Sequence, residues 1–357
     1  GVIGMMLVLE QQGEVDARNE WLERAYRLAP RSPEVAERYL KLQETLNTPL
    51  DEIIEKRELR AKQHPRDFQN LINLASLYER TRRYDKAEKS YVSAAGMMKD
   101  KVQATGIVVA FYSRRNRLGD ADKLIRQLLS NTDDKVGAYV LYGDFLAVRR
   151  PAEARNAFEK AIELDEEDPR GHLALARFLA NISEPPDYEA AAAAMRRFVN
   201  INDSSESAEK ELARYLIGAR EFDEAARYID PLLAKSPSDA YLLRLKAELI
   251  LKRDGDLEEA EKYLGRAVSD NPQDPDARVA RARVYAAHGE FSKAKADLEA
   301  AKRISTRPQI VMQLVTVYKA MQEYDNAELA LAELLVRRKD YEPAIKELIE
   351  LYRRRKG

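Results

Sequence analysis

An alanine returns along this chain at almost constant intervals: Ala87, Ala121, Ala154, Ala191, Ala225, Ala260, Ala294 and Ala327. The steps are 34, 33, 37, 34, 35, 34 and 33 residues. A fixed period of that length means that one supersecondary unit is copied along the chain. Four residues after each alanine stands a large apolar side chain: Tyr91, Ile125, Phe158, Met195, Ile229, Leu264, Leu298 and Leu331. Seven after it stand Ala94, Leu128, Ala161, Phe198, Leu232, Ala267, Ala301 and Leu334. Offsets of four and seven put all three residues on one face of a helix.

A second helical pattern precedes each of these. It is marked by Tyr78, Tyr112, Leu146, Leu179, Leu216, Ile250, Tyr285 and Tyr318. Each follows, by three residues, a small or β-branched partner such as Ala75, Val109, Gly143, Ala213 or Val315. Between the two patterns lie turn signals: Leu118-Gly119-Asp120, Gly255-Asp256-Leu257, Gly289-Glu290-Phe291 and Glu323-Tyr324-Asp325 among them. Glycine is expected to end the first helix and Asp to cap the second. Pro30, Pro65, Pro169, Pro237 and Pro272 separate successive units, because proline stops a helix and suits the start of the next. Composition agrees. Apolar residues make up 45% of the 357, and Gly and Pro number only 14 each, which excludes a disordered or turn-rich β chain.

The pattern resembles the tetratricopeptide repeat, a 34-residue helix–turn–helix unit. The matching features are the small residue at position 8, the aromatic residue or Leu at 11, Ala at 20, a large apolar residue at 24 and Ala at 27. Eight units run from 68 to 341. Residues 1–32 read as a truncated unit, in which Leu22, Ala25 and Pro30 fit the second half. Residues 33–67 read as a divergent one, with Pro49 and Glu52 in place of the expected apolar residue and Ala. Residues 342–357 read as a lone capping helix with Ile345, Leu348, Ile349 and Tyr352 in register. The fold implied is an all-α solenoid, a right-handed superhelix of about ten hairpins. The RNA-reading pentatricopeptide repeat shares the length. Its base code would need small polar residues where this chain has Ile72, Gly106, Val140, Leu173, Lys210, Arg244, Val279 and Met312.

By the same resemblance the first helices line a concave groove. The groove positions carry Arg80, Arg114, Arg170, Arg177, Lys210, Arg214, Arg244, Lys252, Arg283 and Lys319 against Glu79, Asp144, Glu248 and Asp276. Ten basic residues thus face four acidic ones in a chain whose net charge is −1. Eight of them (Arg80, Arg114, Arg177, Lys210, Arg214, Arg244, Lys252 and Arg283) are the candidate partner-binding residues. With Ile72, Val140, Leu173 and Val279 beside them, the expected partner is a protein segment that is acidic or amphipathic. The competing expectation is that these charges pair locally and keep the solenoid dissolved. The family's chaperone-tail binders use Lys at position 5 followed by Asn at 9. That pairing is missing here, since position 9 reads Ser76, Ala110, Asp144, Arg177, Arg214, Glu248, Arg283 and Thr316.

Reactive chemistry finds no foothold in the sequence. There is no cysteine, and the histidines, His64, His172 and His288, fall on separate repeats as ordinary loop or surface residues. No phosphate-binding glycine loop and no nucleophile motif occurs. The run Asp165-Glu166-Glu167-Asp168 lacks the spacing of a calcium loop and reads as a linker before Pro169. A non-enzymatic scaffold or adaptor with no cofactor is expected, and the balanced charge argues against nucleic acid as the partner. The alternative is a bacterial periplasmic scaffold of an exopolysaccharide secretion or modification machinery, with an anionic polysaccharide as ligand. No run reaches the ~20 apolar residues of a membrane span, so a dissolved protein, cytoplasmic or periplasmic, is expected. The start at Gly1 rather than Met reads as a trimmed chain, which leaves open a signal or anchor before it. Val2, Met5, Met6 and Leu9, with no repeat before them, are a candidate self-association face.

Overall fold

The computed structural model describes Met5 and residues 14–30, 32–202 and 205–356. Among them are twenty helices and no strand. They divide into two compact units, 1–165 and 166–357. The first holds α1 (Val15–Leu28), α2 (Pro33–Thr45), α3 (Leu50–Gln63), α4 (Phe68–Arg80), α5 (Tyr84–Met97), α6 (Lys101–Arg114), α7 (Leu118–Asn131), α8 (Lys135–Leu146) and α9 (Pro151–Leu164). The second opens with α10 (Pro169–Asn181), α11 (Tyr188–Ile201), α12 (Glu206–Gly218), α13 (Phe222–Lys235), α14 (Ala240–Arg253) and α15 (Leu257–Asp270). It continues with α16 (Pro275–Ala287), α17 (Phe291–Ile304), α18 (Pro308–Ala320), α19 (Tyr324–Arg337) and α20 (Glu342–Lys356). Within each unit every helix packs on the next, and α6 with α8, α12 with α14 and α14 with α16 also touch. First helices of adjacent repeats therefore lie side by side.

The periodic alanines explain this packing. All eight are completely buried (0% exposed), as a residue at a close helix crossing must be. The large residues four positions on and the residues seven positions on are buried too. Removing such a Leu, Ile or Phe side chain from water is worth about 1.5–3 kcal/mol each. Gly143 on α8 is required for a related reason. A Cβ there would lie 2.3 Å from the Phe158 ring of α9, so the aromatic at position 24 occupies the space left by the missing side chain.

The ends of the helices follow two rules. Nearly every first helix is capped by the last residue of the preceding loop. Asp67, Asp100, Asp134, Asp168, Ser205, Asp239 and Asp274 each accept a backbone N–H of the first turn; Ser32 before α2 and Arg307 before α18 do not. In six of the eight units, all but those of α9 and α11, the turn into the second helix is closed by one left-handed residue. Arg82, Asn116, Arg220, Gly255, Gly289 and Gln322 have φ of 60°, 56°, 65°, 71°, 78° and 61°. The residue after most of them donates its N–H back to the carbonyl five positions earlier, as Arg83 does to Tyr78 and Glu323 to Tyr318. That is a Schellman closure. Gly255 and Gly289 end helices as expected, but Gly119 sits inside α7 and Asn116 does its work. Likewise Asp85, Asp120, Asp223 and Asp325 lie in the first turn of their helices and do not cap them.

Other expectations shift in register. In the divergent stretch the helices α2 and α3 do form, but Ile53, fully buried, takes the small-residue position instead of Glu52. The later core positions hold Arg57 and Arg60. Arg57 is 0% exposed and bonded to Glu37, Glu44 and Asn70; Arg60 is paired with Asp67. In α20 the seam is made by Ala344 and Leu351 with Leu348 against them, while Ile349 and Tyr352 face solvent. His172 is buried, with Nε2 3.0 Å from the Glu166 carbonyl oxygen, and is no surface residue. Val279 belongs to the core and leaves the groove list. Trp21 packs against the first unit's core. Of the proposed self-association face, Val2, Met6 and Leu9 lie outside the described residues, and Met5 is exposed.

Candidate functional site

Side-by-side first helices bring residues about one repeat apart into contact, and the candidate cations are spent largely on those contacts. Arg114 on α6 reaches back to Glu79 on α4 through two hydrogen bonds of 3.1 and 2.7 Å. Arg80 reaches Glu44 at 3.3 Å. In the second unit Arg177 on α10 reaches forward to Glu211 on α12 at 3.2 and 3.0 Å. Lys210 meets Asp239 at 2.7 Å and Glu206 at 2.5 Å, and Lys252 meets Glu248 at 2.9 Å on its own helix. Outside the eight, Arg170 pairs with Asp168 and Lys319 with Glu347. Charges 29 to 36 residues apart thus form rungs between neighbouring first helices.

The tally of ten cations against four acids is corrected accordingly. Glu206, Glu211, Asp239 and Asp274 belong to the same face, and sequence positions counted within one repeat missed them; Glu44 of the divergent unit adds to them. The rungs hold carboxylates in the charged form. Burial pushes Glu211 upward, but hydrogen bonds from Arg177 and Tyr215 outweigh it and keep the group below its ordinary pKa. Glu79 behaves alike: burial raises it, and Arg114 and Tyr91 bring it lower. Asp239 is raised by burial and lowered further by Lys210 and the Leu242 N–H. Asp144 has no ion partner among the described residues. Lost hydration pushes its carboxyl up to about 6.

Three of the eight differ. Arg214 donates to the amide oxygen of Asn181 at 3.0 Å and lies over the Tyr215 ring at 4.6 Å. Arg283 donates to the Gln313 amide at 3.3 Å. Arg244 has carboxylates only at 3.6 and 3.8 Å. Arg214 and Arg283 thus hydrogen-bond to neutral acceptors, while Arg244 lies within ion-pair distance of Asp274 and Asp276 without a hydrogen bond to either. Beside them Leu173 is half-buried, as are Ile72 and Val140 in the first unit. Among the described residues no three His, Asp or Glu come together as metal ligands, and no helix is long and apolar enough to cross a membrane.

Tetratricopeptide-repeat family models match residues 71–101, 143–207, 210–275 and 251–311, more than half of the sequence in all. The chain belongs to the tetratricopeptide repeat family. A curated relative, interferon-induced protein with tetratricopeptide repeats 3 of Mus musculus, is 29% identical over 119 residues. That match takes in 33% of this chain and 29% of the relative, so the chain spans under a third of that protein's length. Among solved structures, yeast Tom70 is similar with a TM-score of 0.53 at 13% identity, over 99% of this chain and 96% of that one. A tetratricopeptide repeat protein from Parabacteroides merdae gives 0.51 at 16% identity, over 71% and 98%. At those identities the likeness is one of fold, the repeat scaffold on which protein–protein interaction is common.

Proposed function

We propose that this chain is a non-enzymatic interaction scaffold that holds an acidic or amphipathic segment of a partner protein along its first-helix face. The candidate contact residues are Arg80, Arg114, Arg177, Lys210, Arg214, Arg244, Lys252 and Arg283. The observation that carries the reading is the bonding of Arg214 and Arg283 to neutral amides. On a face whose other charges are mostly matched, these guanidinium groups keep donors for a carboxylate from outside, at little desolvation cost because both are only partly covered.

Selection from a random peptide display library tests it. Enriched peptides are expected to be rich in Asp and Glu, and the double variant Arg214→Glu, Arg283→Glu is expected to lose at least about tenfold in affinity for them. Enrichment without an acidic excess, or undiminished binding by the double variant, counts against the reading. An anionic oligosaccharide that displaces the peptides, and is itself lost in the double variant, would move the ligand from protein to polysaccharide.

A further inference from the structure

The final helix, α20, repeats an apolar seam that α18 keeps covered. Val311, Leu314, Val315 and Tyr318 on α18 are all buried, in one core cluster with Ala327, Leu331 and Leu334 of α19. Thirty-four residues further on, α20 carries Ile345, Leu348, Ile349 and Tyr352. Leu348 still packs against the core beside Ala344 and Leu351. Ile349 and Tyr352 are 45% and 51% exposed, and Ile345 is half-buried. Offsets of four and seven place Ile345, Ile349 and Tyr352 on one face. Among the described residues α20 thus has two apolar faces, one on the core and one against water.

The charges of α20 fall into two sets. Those turned inward are committed: Glu347 pairs with Lys319, and Arg354 donates to the Tyr324 hydroxyl at 3.3 Å. Those turned outward are Glu342, Lys346, Glu350 and Arg353, all exposed. Glu342 meets Lys346 at 3.2 Å, an exposed pair of a kind that is worth little and exchanges readily. Arg353 has no hydrogen bond or ion pair with another described residue. Glu342 and Arg353 stand eleven residues apart, close to three full turns, so they share one flank of the exposed stripe. The acid lies at its start and the base at its end.

We propose that the outward face of α20 docks α20 of a second copy of this chain, the two helices running antiparallel about a two-fold axis. Charge complementarity identifies the occupant. A two-fold axis between antiparallel helices brings the same flank of each together with its direction reversed. Glu342 of each copy then lies opposite Arg353 of the other, because both are nearly equidistant from the middle of the stripe. The apolar stripes overlap in that same arrangement, and the helix dipoles oppose. A parallel copy would instead set Glu342 against Glu342 and Arg353 against Arg353. An antiparallel helix is also what covers the equivalent residues of α18, since α19 returns along it after a short turn. Three apolar side chains from each copy make a small interface, so the association is weak and depends on concentration.

The test is sedimentation equilibrium of the full chain from a few micromolar to a few hundred micromolar. The average mass is expected to climb from one chain towards two. Ile349→Asp is expected to keep the chain monomeric throughout. Glu342→Arg and Arg353→Glu each break both symmetric pairs and create like-charge contacts, so each is expected to weaken dimerisation by about tenfold. The double variant Glu342→Arg, Arg353→Glu restores complementarity and is expected to return within about threefold of the parent. All three side chains are exposed, so urea midpoints at low concentration should match the parent's. A parent chain that stays monomeric over the whole range overturns the second copy as occupant. A dimer indifferent to Ile349→Asp overturns α20 as the surface. A dimer that neither charge reversal weakens, or that the double variant fails to recover, overturns the antiparallel arrangement.

Discussion

At the scale of single residues, the turns inside the hairpins carry avoidable strain. Arg82, Arg220 and Gln322 hold left-handed φ values that glycine adopts freely and that cost other L-residues about 1–2 kcal/mol. Glycine in turn costs up to about 1 kcal/mol in unfolded-chain entropy. The difference favours glycine, so Arg220→Gly is expected to stabilise the chain by about 0.5–1 kcal/mol, read as a higher urea midpoint at unchanged slope. Sequence alone locates such residues poorly, because the conspicuous glycine of the Leu118-Gly119-Asp120 turn is not the residue that bends. Asn116, three positions earlier, is.

At the scale of elements, capping and core positions tell different stories about legibility. The positions 20, 24 and 27 of eight second helices were readable without structure, since small and large apolar residues at offsets of four and seven admit one helical face. In the divergent stretch the core register lies one residue from the expected one and was hard to see, because its core slots hold Arg57 and Arg60, whose aliphatic stems fill apolar space while their heads find Glu37, Glu44 and Asp67. A search for apolar residues passes over such slots. The caps before the first helices went unnoticed too, although Asp recurs there at repeat spacing. Asp100→Ala is expected to cost about 1 kcal/mol through the lost bond to the Gln103 N–H. Asp239→Ala should cost more, because it also removes one of the two carboxylates that Lys210 pairs with. Paired urea melts of the two variants check the order.

At the scale of the whole molecule, many carboxylates share one electrostatic condition. Glu58, Glu79, Glu88, Glu211, Glu224, Asp239 and Glu323 all titrate below their ordinary values because Arg, Lys or Tyr hydrogen bonds favour the charged form. A folded-state pKa below the unfolded one contributes stability above the unfolded value and loses it as pH falls through the folded one. The urea midpoint should therefore hold near neutrality and decline as pH drops below about 4.5, with each partly exposed pair adding little and their number adding up. A midpoint that stays level to pH 3 would mean that the rungs contribute nothing. What one repeat could not reveal in sequence was this pairing between repeats, since each partner lies some thirty residues from its charge.

The rungs also make the repeats non-interchangeable. Arg177 finds Glu211 on the following first helix, but the residue in Glu211's place one repeat further on is Leu245, buried and neutral. Cutting out residues 206–239 would preserve the period and the helical seam while leaving Arg177 beside a side chain that cannot answer it. A fold that looks modular is in this respect an ordered word, and shuffling its syllables would change what it says.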